Sequence, residues 1–135
     1  MVSYEIEKNL PLQDFIHVLT DSGLGERRPM NDPDHLERML RNSNLVIVAR
    51  DSRQVVGVLR GLSDFSYRTF IADLAVISAR QGEGIGKGML KFARSLASDA
   101  RLFLFSAEGS IQFYQKIGFE LHERCYQLKP DEQIK

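Results

Sequence analysis

The residue types most suited to chemistry form a glycine-rich stretch, Gln81-Gly82-Glu83-Gly84-Ile85-Gly86-Lys87-Gly88. It lies between an apolar run typical of a buried strand and a segment with apolar residues at helical spacing. Glycine lets backbone amides approach a ligand closely, and a helix N-terminus adds partial positive charge. The stretch therefore predicts a phosphate cradle. The alternative is a helix that simply begins at a glycine-rich turn.

The glycine spacing does not fit the two commonest nucleotide-binding motifs. The fingerprint G-x-G-x-x-G requires glycine at a sixth position, where this chain has Lys87 or Met89. The P-loop motif begins with glycine and ends with Ser or Thr, where this chain has Gln81 and Gly88. The spacing therefore indicates neither ligand class.

Three side chains are candidates for proton transfer. Tyr114 lies in an apolar segment with Phe113 and Ile117, where the residues alone favour a core tyrosine over a proton donor. Asp73 interrupts an apolar strand-like run, so it is either a general base or a structural carboxylate. Asp64, just ahead of that run, is either a second base that attracts a cationic substrate or a solvated loop acid.

The histidines and the cysteine do not indicate metal or thiol chemistry. His17, His35 and His122 are dispersed and no pair has metal-ligand spacing, so we expect no metal site. Cys125 is the only cysteine, which excludes an intrachain disulfide and is typical of a reducing compartment. We expect it to be a small buried residue on the last strand.

Hydrophobic periodicity and turn residues predict the order β-α-α-β-β-β-α-β-α-β. This is an α/β (α+β) arrangement with about six strands, mixed in direction, and about four helices. The last strand is expected from Phe119 to Leu128, and the polar residues 130–135 form a tail. With no repeat or linker, we expect one domain over residues 1–135.

Length and composition are those of an ordinary globular domain. The chain has 135 residues, 43% hydrophobic and 27% charged. Eighteen basic and eighteen acidic residues cancel, which argues against a nucleic-acid partner. No apolar run approaches the roughly 20 residues of a membrane span, and the first residues do not form a secretory signal. We therefore expect a cytoplasmic protein without a membrane partner.

The sequence resembles the GNAT superfamily of acetyl-CoA-dependent N-acetyltransferases. Gln81-Gly82-Glu83-Gly84-Ile85-Gly86 matches that family's Q/R-x-x-G-x-G/A pyrophosphate loop. Asp73-Leu74-Ala75-Val76 is similar to the strand that pairs with the pantetheine arm in that family. Phe113-Tyr114-Gln115-Lys116-Ile117-Gly118-Phe119 resembles its F-Y-x-K-x-G-F segment, and the element order agrees over essentially the whole chain.

The resemblance implies a mixed sheet that splays between the fourth and fifth strands, with acetyl-CoA inserted there. The backbone of Leu74 and Val76 would pair with the pantetheine arm. The diphosphate would lie on the loop that begins at Gln81, against the amides of Gly82, Gly84, Ile85, Gly86 and Lys87. The Lys87 side chain either adds charge there or is a solvated helix lysine.

The implied reaction is direct acetyl transfer to a primary amine of a small molecule or peptide. The Val76 amide would stabilise the charge that develops on the carbonyl oxygen. Tyr114 would be the general acid for the leaving thiolate, and Asp73 is a candidate base. Many relatives carry an asparagine at the position of Ala107, so a cofactor contact is expected to be missing here.

A second hypothesis is a catalytically weak acyl-CoA-binding sensor or interaction module of the same fold. The acceptor amine is not specified by the sequence, and we expect the loops Gly23–Asn31 and Leu62–Arg68 to select it. Arg27-Arg28, in the first of these loops, either lines the acceptor mouth or pairs with an acid of its own chain. A homodimer is an expectation from the family alone.

Overall fold

The computed structural model describes all residues from Met1 to Lys135. Its strands are β1 Val2–Ile6, β2 Leu45–Asp51, β3 Gln54–Ser63, β4 Arg68–Val76 and β5 Arg101–Leu104. Its α-helices are α1 Leu12–Ser22, α2 Pro33–Arg41, α3 Ile85–Leu96 and α4 Ile111–Lys116. Short 3-10 turns follow α1 and β4 and precede α4. The chain divides into two compact units, Met1–Phe105 and Ser106–Lys135, so the expectation of one domain over 1–135 stays a prediction.

The first unit is built on one five-stranded sheet in the order β1-β2-β3-β4-β5. The first three pairings are antiparallel, and β5 runs parallel to β4. The continuous apolar run Leu45–Ala49 is buried throughout, as expected for a strand covered on both faces. The predicted mixed α/β fold is confirmed, with four helices as expected.

Helices α1 and α3 pack on the sheet through apolar residues that recur at helical spacing. The buried residues of α1 are Phe15, Val18 and Leu19, and those of α3 are Ile85, Met89, Leu90 and Ala93. Near the start of α3, a Cβ added at Gly88 would overlap the Tyr4 ring. Glycine at this position therefore lets the first turns of α3 approach β1 closely.

The predicted sixth strand is not formed, and the expectation for it was wrong. In the second unit, no helix or strand follows α4. Leu121 is 87% exposed and Tyr126 is 93% exposed, so the apolar residues of this segment do not bury a common face. A strand is stable only with a bonded partner and an apolar face to cover. For the same reason Cys125 is exposed, not buried as expected.

Candidate functional site

The pairing between β4 and β5 covers only the first part of β4. Arg68 to Ile71 pair with Arg101 to Leu104, whereas β4 continues to Val76. The stretch from Ala72 to Val76 therefore has β3 on one side and no strand on the other. The expected splay between the fourth and fifth strands is confirmed, and it creates an open backbone edge within the first unit.

A β-bulge lies where this opening begins. In the backbone register of β3 and β4, Asp73 lies opposite Arg60 and Ile71 lies opposite Gly61. Ala72 is therefore the extra residue of β4. A bulge bends its strand and increases the local twist. Because β5 pairing ends at Ile71, immediately before Ala72, the bulge explains why the two strands separate at this point.

The backbone groups of Leu74 and Val76 face the open edge. The Ile77 amide donates to the Val56 carbonyl at 2.9 Å, so Ile77 is directed toward β3. Directions alternate along an antiparallel strand, so Val76 and Leu74 are directed the opposite way. The Val76 carbonyl accepts a hydrogen bond from the Gln81 side-chain amide at 2.9 Å. Sequence reasoning had not found this contact, because Gln81 was considered only as part of the phosphate loop.

The glycine-rich stretch connects this edge to the N-terminus of α3. Gly82 and Gly84 have positive φ angles of 82° and 84°, which glycine adopts without strain. Gly84 is the N-cap of α3 and no side chain caps the helix. The amides of Ile85, Gly86 and Lys87 therefore lack helical acceptors. A Cβ added at Gly82 or Gly84 would meet no heavy atom within 4 Å, so the space beside these two glycines is open.

The charged side chains of the stretch are partly paired. Arg80 donates to both oxygens of Glu83, at 2.9 and 3.2 Å, and to Asp51 at 2.9 Å. Hydrogen bonding to Glu83 raises the pKa of Arg80, and hydrogen bonding from Arg80 lowers the pKa of Asp51. Arg80 thus offsets the acidic residue inside the loop, whereas Lys87 is exposed.

Asp73 lies in a buried ion-pair network. Its side chain is 0% exposed, and Oδ1 accepts from Arg28 Nε at 2.6 Å. Oδ2 accepts from Arg60 Nε at 2.5 Å, and Arg60 also donates to the Ser43 hydroxyl at 3.1 Å. Both carboxylate oxygens are therefore engaged by guanidinium groups. This arrangement favours the structural alternative for Asp73, and it shows that Arg28 pairs with an acid of its own chain.

Asp64 organises the hairpin turn between β3 and β4. Its Oδ1 accepts from the backbone amides of Ser66, Tyr67 and Arg68 at 2.9, 2.7 and 3.0 Å. These hydrogen bonds, led by that of Tyr67, lower the pKa of Asp64 to about 2. The hairpin lies at the opposite end of β4 from the glycine-rich stretch, about 26 Å from Val76 at the usual rise per residue. This position does not favour an acceptor-selecting role for the loop Leu62–Arg68.

Tyr114 lies on α4 in the second unit. Its ring makes edge-to-face contacts with Phe113 and Phe119, at centroid separations of 5.0 and 5.5 Å. Burial raises the pKa of Tyr114, so the hydroxyl keeps its proton at neutral pH. Ala107 precedes the 3-10 turn before α4 and offers no polar side chain.

No group of three or more His, Cys, Asp or Glu side chains is arranged to hold a metal ion. None of the helices combines the length and hydrophobicity that a bilayer span requires.

The chain belongs to the GNAT acetyltransferase family. The family model described as "Acetyltransferase (GNAT) domain" matches residues 42–121, which is more than half of the chain. A GNAT-family acetyltransferase from Streptococcus pneumoniae shares the fold with a TM-score of 0.78 and 26% identity, covering 96% of each chain. An aminoglycoside N-acetyltransferase solved with CoA has a TM-score of 0.73 at 13% identity, covering 97% of this chain and 95% of its own.

Curated relatives match over a shorter part of their length. The histone acetyltransferase TAP1 of Glycine max is 27% identical over 119 residues, covering 78% of this chain and 50% of the relative. The chain thus spans about half the length of the curated relatives it matches. The predicted family is confirmed, and the residue roles stay predictions.

Proposed function

We propose that this protein transfers an acetyl group from acetyl-CoA to a primary amine of a small molecule or peptide. The observation that carries the proposal is the continuity of two features. An open strand edge at Leu74 and Val76 leads directly into the cradle of unpaired amides at the start of α3. An amide-bearing arm with a diphosphate fits this pair of features, and coenzyme A has both. When bound, it supplies the activated thioester.

The open edge would hold the pantetheine arm. Leu74 and Val76 offer backbone groups of the kind that an added strand pairs with. Since Gln81 already donates to the Val76 carbonyl, the groups left for the arm are those of Leu74 and the Val76 amide. Gln81 would therefore contribute by fixing the end of β4.

The cradle would hold the diphosphate. The amides of Gly82, Gly84, Ile85, Gly86 and Lys87 form its candidate contacts, and the α3 dipole favours the negative charge. Open space in front of Gly82 and Gly84 supports this assignment, since side chains there would fill the position of the phosphates. The Lys87 side chain would add charge at the same position.

The reaction needs an oxyanion donor and a proton for the leaving thiolate. The Val76 amide faces the open edge and is the candidate donor to the carbonyl oxygen. Tyr114 is the candidate general acid, and its raised pKa keeps it protonated at neutral pH. An amine with pKa near 10 must lose a proton before attack. Asp73 is a weak candidate to accept it, because both of its oxygens are held by arginines.

The decisive experiment measures CoA release from acetyl-CoA with a panel of amines. We expect turnover with at least one amine, and Tyr114→Phe to lower kcat by about 10²- to 10⁴-fold with little change in CoA affinity. Tyr126→Phe is a matched control, since Tyr126 is 93% exposed and we expect no effect there. Equal turnover in wild type and Tyr114→Phe would remove the general-acid assignment.

The same experiment addresses the alternative of an acyl-CoA-binding sensor. The alanine at position 107, where many relatives carry an asparagine, is the feature that favours it. Tight binding of acetyl-CoA without turnover on any amine would support the sensor. Absence of CoA binding would exclude both functions.

A further inference from the structure

The segment from Asp21 to Arg28, hereafter the acceptor-side segment, is hydrogen-bonded at one end to β4 and at the other end to Ser78, two residues beyond β4. Asp21 Oδ2 accepts from the Ser78 amide at 2.7 Å and from the Ser78 hydroxyl at 3.2 Å. At the other end, Arg28 pairs with Asp73 and donates to the Ala72 carbonyl at 3.0 Å. The segment therefore runs alongside the same part of β4 that has no β5 neighbour.

Arg28 contacts the bulge of β4 through hydrogen bonds from its planar guanidinium group. Nε donates to Asp73, one terminal nitrogen donates to the carbonyl of the bulged residue Ala72, and the other donates to the Arg27 carbonyl at 2.9 Å. One guanidinium thus joins its own loop to both the side chain and the main chain of β4. Lysine has a single ammonium group and cannot reproduce this geometry.

The partner of Arg28 is itself rigidly held. Asp73 is fully buried, and Arg60 on β3 occupies its second oxygen. Removing Arg28 would leave part of a buried carboxylate without its donor, which is costly because no other side chain bonds that oxygen. The Arg28 guanidinium is therefore anchored to a carboxylate that the sheet holds in place.

We propose that Arg28 is a positioning residue that fixes the acceptor-side segment against the bulge of β4 and so sets how the amine substrate is held. This inference rests on the proposed function, because it assigns the segment to the acceptor side of the open edge. Leu62–Arg68, the other loop expected to select the acceptor, lies about 26 Å from Val76 along β4. The acceptor-side segment, in contrast, contacts the bulge directly through the Arg28 side chain.

The test compares Arg28→Gln and Arg28→Lys with Arg38→Gln, a control at an exposed arginine of α2 that forms no ion pair and lies outside the acceptor-side segment. Kinetics with the best amine should show its KM raised about 10-fold or more in Arg28→Gln, while the Kd for CoA changes less than about twofold. Arg28→Lys should recover only part of the loss, and Arg38→Gln should match wild type. Unchanged amine KM, or an equal loss of CoA affinity, would overturn the proposal.

Backbone amide exchange provides a readout that does not depend on activity. In Arg28→Gln and Arg28→Lys, residues 21–28 should exchange faster than in wild type, while β1 and β2 keep their protection. Unchanged exchange in residues 21–28, or faster exchange throughout the chain, would contradict the proposal that Arg28 holds this segment against β4. If wild type shows no CoA binding and no turnover, the proposed function fails, and the exchange result still decides whether Arg28 holds the segment.

Discussion

The most direct perturbation of the proposed cradle is Gly84→Ala. Gly84 has φ of 84° at the N-cap of α3, and an added Cβ would enter space that no heavy atom occupies within 4 Å. Gly23 provides a matched control, because it has φ of 87° and equally open surroundings at the C-terminus of α1. The two substitutions impose the same backbone strain, and only one adds a methyl group to the cradle.

The expected magnitudes differ between stability and binding. A left-handed L-residue costs about 1–2 kcal/mol, so both variants should be destabilised by that amount. In Gly84→Ala the methyl group also displaces the diphosphate from one or two amides, each worth about 1.5–3 kcal/mol as a hydrogen bond to a charged group. At about 1.4 kcal/mol per tenfold change, the Kd for CoA should rise at least about 10-fold.

Urea unfolding and calorimetric titration with CoA measure the two effects separately. We expect similar free energies of unfolding for Gly84→Ala and Gly23→Ala, with weakened CoA binding in Gly84→Ala alone. The bulkier Gly84→Val should weaken binding further. If Gly84→Ala binds CoA as tightly as Gly23→Ala, the diphosphate does not lie on these amides and the cradle assignment is wrong.

Three further outcomes follow from particular contacts. Gly61→Ala should lower the free energy of unfolding in urea by about 1–2 kcal/mol, because its Cβ would lie 2.7 Å from the Phe70 carbonyl oxygen; unchanged stability would show that β3 and β4 separate easily there. Glu83→Gln should tighten CoA binding severalfold at low salt, by removing a negative charge and releasing Arg80, and the gain should shrink as salt rises; weaker binding would contradict this. Asp64 has a pKa lowered to about 2, so its stabilising contribution is complete above the unfolded value of 3.8 and is lost as pH falls through 2. Asp64→Asn should therefore flatten the acid-unfolding profile between about pH 4 and 2, and an unaltered profile would exclude this role.

Local patterns in the sequence were sufficient for most elements of the first unit. Strand and helix periods, and the cap at Asp32 followed by Pro33, depend on residues close in sequence. The glycine turn before α3 was also predictable, because positive φ at Gly82 and Gly84 is a local property of glycine. The failed last strand shows the limit of such patterns, since a strand also requires a partner that the segment around Cys125 does not find.

The sequence by itself determined the order of strands and α-helices as far as α4, the family and the glycine turn, because periodicity, capping and φ preferences act over a few residues. Only the tertiary structure decided that Ala72 is bulged and that Asp73 is held by Arg28 and Arg60. Arg28 and Asp73 are 45 residues apart, and no local pattern encodes which of many charged residues will meet. A buried carboxylate must be paired, but its partners are chosen by the packing of loop and strand around it.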